Sequence, residues 1–155
     1  MNVDIVNFEA VRIAVKEHRG PVEQLEGSVG QFIAWRRETG LSPKDSSRTF
    51  GIAYDNPETT APSLFRFDIA GEITADIPTN RQGIIAKTIP RGRCARVRHP
   101  GPHARLGESI RTLYRDWLPA SGEELRDFPV FFHYLNLLPE TSEAELLTDI
   151  YLPLK

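Results

Sequence analysis

The residues able to do chemistry in this chain are a few carboxylates set among aromatic rings. Asp149 lies in TDIYLPL with apolar residues on both sides, and strand alternation puts it on one face with Tyr151. In VFFHYLN the same alternation groups Phe132, Tyr134 and Asn136 on a common face. A buried carboxylate without a partner is expensive, so its presence among apolar residues points to use. Rings beside it suit an organic cation, through charge attraction and cation–π contacts of ~0.5–2 kcal/mol each. Phe32, Trp35, Tyr114 and Trp117 on helical stretches, and Tyr54 and Asp68 on strands, complete the candidate ligand-binding set. Ligand pockets are mostly apolar and aromatic, with a few orienting polar groups. The competing reading of each ring is core packing.

Other chemistries find little support. There is no G-x-S-x-G, P-loop, G-x-G-x-x-G, H-E-x-x-H or C-x-x-C. His99 and His103 are four apart, but Pro100-Gly101-Pro102 bars the helical geometry that would join them at a metal, so neither metal nor cofactor is expected. Cys94 stands in an alternating strand, where a small buried apolar group outweighs a reactive thiol. Arg91, Arg93, Arg96 and Arg98 form a local basic run. Period two gives Arg96 and Arg98 a solvated strand face, which an acidic partner could also use. The run lacks the interleaved aromatics of single-stranded nucleic-acid binders.

The elements that position these residues come from a repeat. RIAVKEHRGPVEQL from Arg12 and RCARVRHPGPHARL from Arg93 align at a spacing of 81 residues, pairing His18 with His99, Gly20 with Gly101 and Leu25 with Leu106. Asp68 and Asp149 pair at the same spacing. Tyr54 and Asn56 fall opposite Tyr134 and Asn136 at 80, which one loop deletion would explain. Each half, roughly 1–80 and 81–155, then reads β-α-β-β. In the first half, Val11 to Lys16 is a strand, and a helix starts at Pro21 and stops at Gly40. Phe50 to Tyr54 and Leu64 to Ile73 are strands. The second half has strands at Cys94 to Arg98, Val130 to Asn136 and Leu146 to Leu152, with a helix from Pro102 to about Leu118. GIIAKTIP reads as an added strand. The expected fold is α+β: one pseudo-two-fold domain over 1–155 of duplicated β-α-β-β units, with an antiparallel sheet and a groove along the axis.

Composition fits one ordinary globular domain of 155 residues, with 40% apolar and 26% charged residues. A net charge of −2 gives no global field for nucleic acid or anionic lipid. The longest apolar runs fall short of the ~20 residues of a membrane helix. With one cysteine and no basic start before an apolar run, the expected location is cytoplasmic.

The H-x-G-P start of each helix, YDNPE at Tyr54 to Glu58 followed by Arg66 and Asp68, WLPASGEELRDFPVFFHYLN from Trp117 to Asn136, and TDIYLPL together resemble the GyrI-like small-molecule-binding domain. That family comprises the effector-binding domain of AraC-type and multidrug-responsive transcription regulators and the DNA gyrase inhibitory protein. The likeness implies duplicated strand-helix-strand-strand (SHS2) units, with a ligand cleft between two helices. It also implies an acidic residue and a tyrosine in the strand matching PVFFHYLN. Tyr134 is kept, while Phe132 stands at the acidic position.

The resulting expectation is a free-standing protein that captures hydrophobic or aromatic compounds, cationic ones among them, as a sensing or toxin-protection module. Both strong helices belong to the repeat, so no helix-turn-helix remains to bind DNA. One alternative implied by the resemblance is a protein–protein regulator that binds and inhibits DNA gyrase. Another is a hydrolase of cyclopropane-bearing DNA-alkylating antibiotics, in which Tyr134 and Asp149 would position a water on a strained ring. Binding is favoured over catalysis. Ligand identity and oligomeric state are not legible at this level.

Overall fold

The computed structural model describes residues Met1–Lys155. The strands are β1 (Asp4–Phe8), β2 (Val11–Arg19), β3 (Thr49–Ala53), β4 (Arg66–Glu72), β5 (Ile85–Ile89), β6 (Gly92–Pro100), β7 (Phe131–Tyr134) and β8 (Leu147–Pro153). The helices are α1 (Leu25–Thr39), α2 (Leu106–Thr112) and α3 (Leu118–Ser121), the last two joined by a π turn at Leu113–Trp117. They form two compact units, Ala10–Pro90, here the first-repeat unit, and Met1–Glu9 with Arg91–Lys155, the second-repeat unit. Strands β5, β2, β4 and β3 make an antiparallel sheet in the first. In the second the order is β1, β6, β8 and β7, again antiparallel. The chain is an α+β protein.

Two edge strands run against simple sequence order. β1 precedes β2 by two residues yet pairs with β6, and β5 precedes β6 by two residues yet pairs with β2. Glu9-Ala10 and Pro90-Arg91 lack the glycine or asparagine that a two-residue hairpin needs at φ > 0, so neither connection folds back. β5 is the added strand expected from GIIAKTIP. Its repeat mate β1 is short and has no counterpart among the strands expected from sequence.

The H-x-G-P motif proves to be a clamp. His18 Nδ1 lies 2.8 Å from Ser28 Oγ on α1, and its Nε2 lies 2.9 Å from the Pro21 carbonyl. His99 repeats this with Ser109 Oγ at 2.8 Å and the Pro102 carbonyl at 3.3 Å. A carbonyl only accepts, so Nε2 carries the proton and Nδ1 accepts from the serine hydroxyl. Both rings are buried. Each clamp fixes the helix start on its strand and defines a helix side of each sheet. At the other end of α1, Gly40 adopts φ 65° and donates its N–H to the Arg36 carbonyl at 3.0 Å, the expected glycine stop.

The π turn accounts for a shift in the repeat. Phe32 and Leu113 keep the spacing of 81, but the stop glycines Gly40 and Gly122 differ by 82, as do Trp35 and Trp117. A π turn absorbs one extra residue within a continuous helix. The shift has closed again by β7, where Phe131 faces Tyr151 as Phe50 faces Ala70.

The first-repeat core packs Phe32 and Trp35 of α1 on Ala14, Ile69, Ile73 and Ile84. Ile33, on the same helix, is exposed. Beside this core, the Arg36 guanidinium is buried, donating to Thr49 Oγ1 at 2.8 Å and Ser42 Oγ at 3.2 Å. Burial lowers its pKa to about 10. Gly71 of β4 makes room for it: a Cβ there would lie 2.5 Å from Ser42 Oγ and against the Arg36 side chain. Overpacking of a closed core costs about 1–3 kcal/mol. Gly71→Ala should lower unfolding free energy by about that amount in urea titration, with an unchanged m-value.

Candidate functional site

Antiparallel pairing puts directly opposed residues on one face of the sheet. In the second-repeat unit, Tyr134 opposes Thr148, which opposes His99, so all three lie on the helix side marked by the His99–Ser109 bond. Phe132 joins them by alternation. His133 opposes Asp149, which opposes Arg98, and Phe131 opposes Tyr151; these lie on the other side. The two face groups expected from VFFHYLN and TDIYLPL are therefore real, but they sit on opposite faces. Tyr134 and Asp149 cannot position one water between them, which removes that pair as catalytic residues. Asn136 secures the following loop, accepting from Leu147 N at 2.8 Å and donating to the Glu145 carbonyl.

Both aspartates of the repeat are buried on the side away from the helices, and both are satisfied by the protein itself. Asp149 accepts a bidentate pair from Arg98, at 2.9 and 3.2 Å. Asp68 is fully buried and accepts from Arg19 at 3.1 Å, Lys87 at 2.7 Å and the Tyr54 hydroxyl at 2.8 Å. Arg19, Arg66 and Lys87 each lie 5.5 Å from the centre of the Tyr54 ring. The cation–π face expected to receive a ligand is thus occupied by the chain's own cations. Burial, with the bond to Asp68, pushes the Tyr54 phenol pKa up. Tyr151 is buried as well, stacked on Phe131 at 5.0 Å and meeting Phe8 edge-on at 5.1 Å.

The alignment of Tyr54 with Tyr134 at a spacing of 80 does not hold. Ala53 opposes Phe67 as Tyr134 opposes Thr148, so Ala53 is the repeat mate of Tyr134. A slip of one residue moves a side chain to the other face, and the two tyrosines face opposite ways.

What remains on the helix side of the second-repeat unit is a partly buried aromatic cluster. The His103 ring lies 4.8 Å from that of Tyr134, and Phe132 lies 6.2 Å from it on the same strand. Burial alone pushes the Tyr134 phenol well above its ordinary value. On the covering helix, Tyr114 is exposed enough to meet solvent and Trp117 is half-buried. In the first-repeat unit, by contrast, Phe32 and Trp35 are closed inside the core and stack on each other at 5.9 Å, so they are not ligand-facing there. The outer face of α1 instead forms an open groove of about 430 Å³ lined by Gly27, Gly30, Gln31, Ala34, Arg81 and Gln82. Glu38 fixes its rim, accepting from Arg81 at 2.6 Å and Gln82 at 2.8 Å.

Sequence inspection weighed His103 only as a metal ligand with His99, and singled out neither Thr148 nor Lys87, the partner of Asp68. The signal was present in the repeat: positions where one copy is polar and the other apolar. Lys87 also bonds Glu17, and this bond, with the charges of Lys87 and Arg19, holds the Glu17 carboxyl below its ordinary value of 4.5 against the effect of burial. A depressed carboxylate contributes stability above its unfolded pKa and loses it as pH falls through the folded one. Lys87→Met should therefore cost about 1–3 kcal/mol at pH 7, with the deficit shrinking below about pH 4 as Glu17 protonates, read by denaturation at each pH.

No group of three or more His, Cys, Asp or Glu is arranged to hold a metal ion, and no helix is long and apolar enough to cross a membrane. Compared with known proteins, the chain matches the GyrI-like small molecule binding domain over residues 1–155. It is 46% identical over 154 residues to "Probable transcriptional regulator YgiV" of Escherichia coli (strain K12), covering 99% of this chain and 96% of that one. It is 26% identical over 160 residues to a DNA gyrase inhibitor of Erwinia billingiae (strain Eb661), covering 99% and 97%. Among solved structures, the EcmrR C-terminal domain superposes with a TM-score of 0.74 at 18% identity, covering 99% of this chain and 97% of that one. That last likeness is one of fold.

Proposed function

The chain belongs to the GyrI-like small-molecule-binding domain family, and from that premise we propose that it captures small aromatic compounds on the helix side of the second-repeat unit, as the sensing or sequestering part of a regulatory response. The observation that carries this reading is Tyr134. Its phenol is desolvated, its ring packs with His103 and neighbours Phe132, and its partner strand places Thr148 beside it. A phenol on a packed framework, among rings and a few polar atoms, is the usual make-up of a ligand pocket. The name of the Escherichia coli relative supports a regulatory setting.

The geometry favours binding over hydrolysis. Asp149 is committed to Arg98 on the opposite face of the sheet, so this carboxylate does not stand beside Tyr134 to activate water.

A second reading, inhibition of DNA gyrase through a protein–protein contact, is favoured by the likeness to the Erwinia billingiae protein. Asp55, which holds Arg66 in a bidentate pair at 2.9 and 3.0 Å, and the neighbouring Glu58 are the loop positions to test for it.

Trp35→Phe leaves Trp117 as the fluorescent reporter on the covering helix. Titration with neutral aromatics, aromatic cations and reactive antibiotics should give saturable quenching by at least one compound, weakened about tenfold or more by Tyr134→Ala, equivalent to about 1.4 kcal/mol. A flat response across the panel, together with inhibition of gyrase supercoiling that Asp55→Ala abolishes, would replace the binding reading with the second one.

A further inference from the structure

Two buried polar atoms on the helix side of the second-repeat unit have no partner in the protein. Thr148 is fully buried and its Oγ1 makes no hydrogen bond; His103 Nε2 is closed from water and equally unpartnered. Leaving a buried polar atom unsatisfied is costly, and native proteins rarely do so without a reason. The two atoms belong to one cluster. Thr148 is the direct cross-strand neighbour of Tyr134, and His103 rests its ring on that same tyrosine at 4.8 Å. The Tyr134 hydroxyl is a third polar group there, raised in pKa by burial alone with no hydrogen-bonding contribution.

The other repeat shows that the fold does not need them. Eighty-one positions earlier stand Val22 for His103, Ala53 for Tyr134 and Phe67 for Thr148. The register is the same, with Phe67 between His18 and Ala53 as Thr148 is between His99 and Tyr134. At these positions the first repeat carries only apolar side chains, Val22 exposed and Ala53 and Phe67 half-buried. Three polar groups placed in a framework that folds without them make a hydrogen-bonding surface whose partner comes from outside the chain.

Neither β7 nor β8 presents a carboxylate on this face. Phe132 occupies the next position along β7 on the same side, and the buried Asp149 points the other way into Arg98. Burial and the nearby His99 hold the His103 imidazole below its ordinary pKa, so it is neutral at pH 7. Glu143, whose charge acts on His103, is exposed on the turn Glu143–Glu145, where solvent screens it.

Resting on the binding reading above, we propose that the preferred ligand is an uncharged hydroxylated aromatic compound, its hydroxyl held by Tyr134 Oη, Thr148 Oγ1 and His103 Nε2. Hydroxyl groups donate and accept, which matches a set able to do both. Lipophilic cations are disfavoured, because the face offers them rings without a carboxylate. A site built to bond a hydroxyl rejects an analogue without one, since its own polar atoms then stay unpaired.

Equilibrium dialysis of the full chain with 2-naphthol, naphthalene and tetraphenylphosphonium tests this. 2-Naphthol should bind about tenfold or more tighter than naphthalene. The conservative variants Tyr134→Phe and Thr148→Val should each weaken 2-naphthol about fivefold or more while leaving naphthalene unchanged. Equal affinity for 2-naphthol and naphthalene, equal loss of both in the variants, or tighter binding of tetraphenylphosphonium overturns the proposed ligand class and leaves the pocket standing. Failure of all three probes to bind overturns the ligand class and the binding reading together.

Discussion

Each half of this protein is organised by an imidazole held between a serine hydroxyl and a proline carbonyl. His18 and His99 tie the end of a central strand to the first turn of a helix, buried from water. Because one ring spends both nitrogens on this link, the helix is fixed over one face of its sheet. Every strand residue is thereby assigned to the helix side or to the other. The period of two then does the rest: adjacent residues on β7 and β8 belong to different chemical environments although they touch in sequence.

The two environments differ in how their polar groups are satisfied. Away from the helices, carboxylates are buried but answered. Asp68 has Arg19, Lys87 and Tyr54, and Asp149 has the fork of Arg98. These are closed networks, and a buried pair of this kind holds geometry more than it offers reactivity. On the helix side of the second-repeat unit the polar groups are neutral and unanswered, and they occur where the first repeat carries valine, alanine and phenylalanine. The two halves share one scaffold. The second copy differs from the first at these positions while it keeps the clamp and the stop glycine.

The first-repeat unit has taken a different course. Its α1 carries Trp35 and Phe32 into a dense core and accommodates a buried arginine over Gly71. In the second copy a π turn at Leu113–Trp117 takes up one extra residue, and Trp117 is half-buried where Trp35 is enclosed.

By itself the sequence determined the class and the local elements. Proline starts, glycine stops, alternating strands and a spacing of 81 are all local signals, each set by a few neighbouring residues, and the observed boundaries fall within a few residues of those they imply. The motifs also determined the family, since their combination is specific across the whole chain. Only the tertiary structure decided which candidates share a site. Tyr54 and Tyr134 read as equivalents and face opposite ways, Asp149 and Tyr134 read as partners and are separated by the sheet, and Phe32 and Trp35 read as ligand rings and are core. The partners of Asp68 come from β2, from the end of β3 and from β5, an edge strand that pairs away from its sequence neighbour. Face and partnership depend on register between distant strands, and register is a long-range property that shifts completely with a slip of one residue.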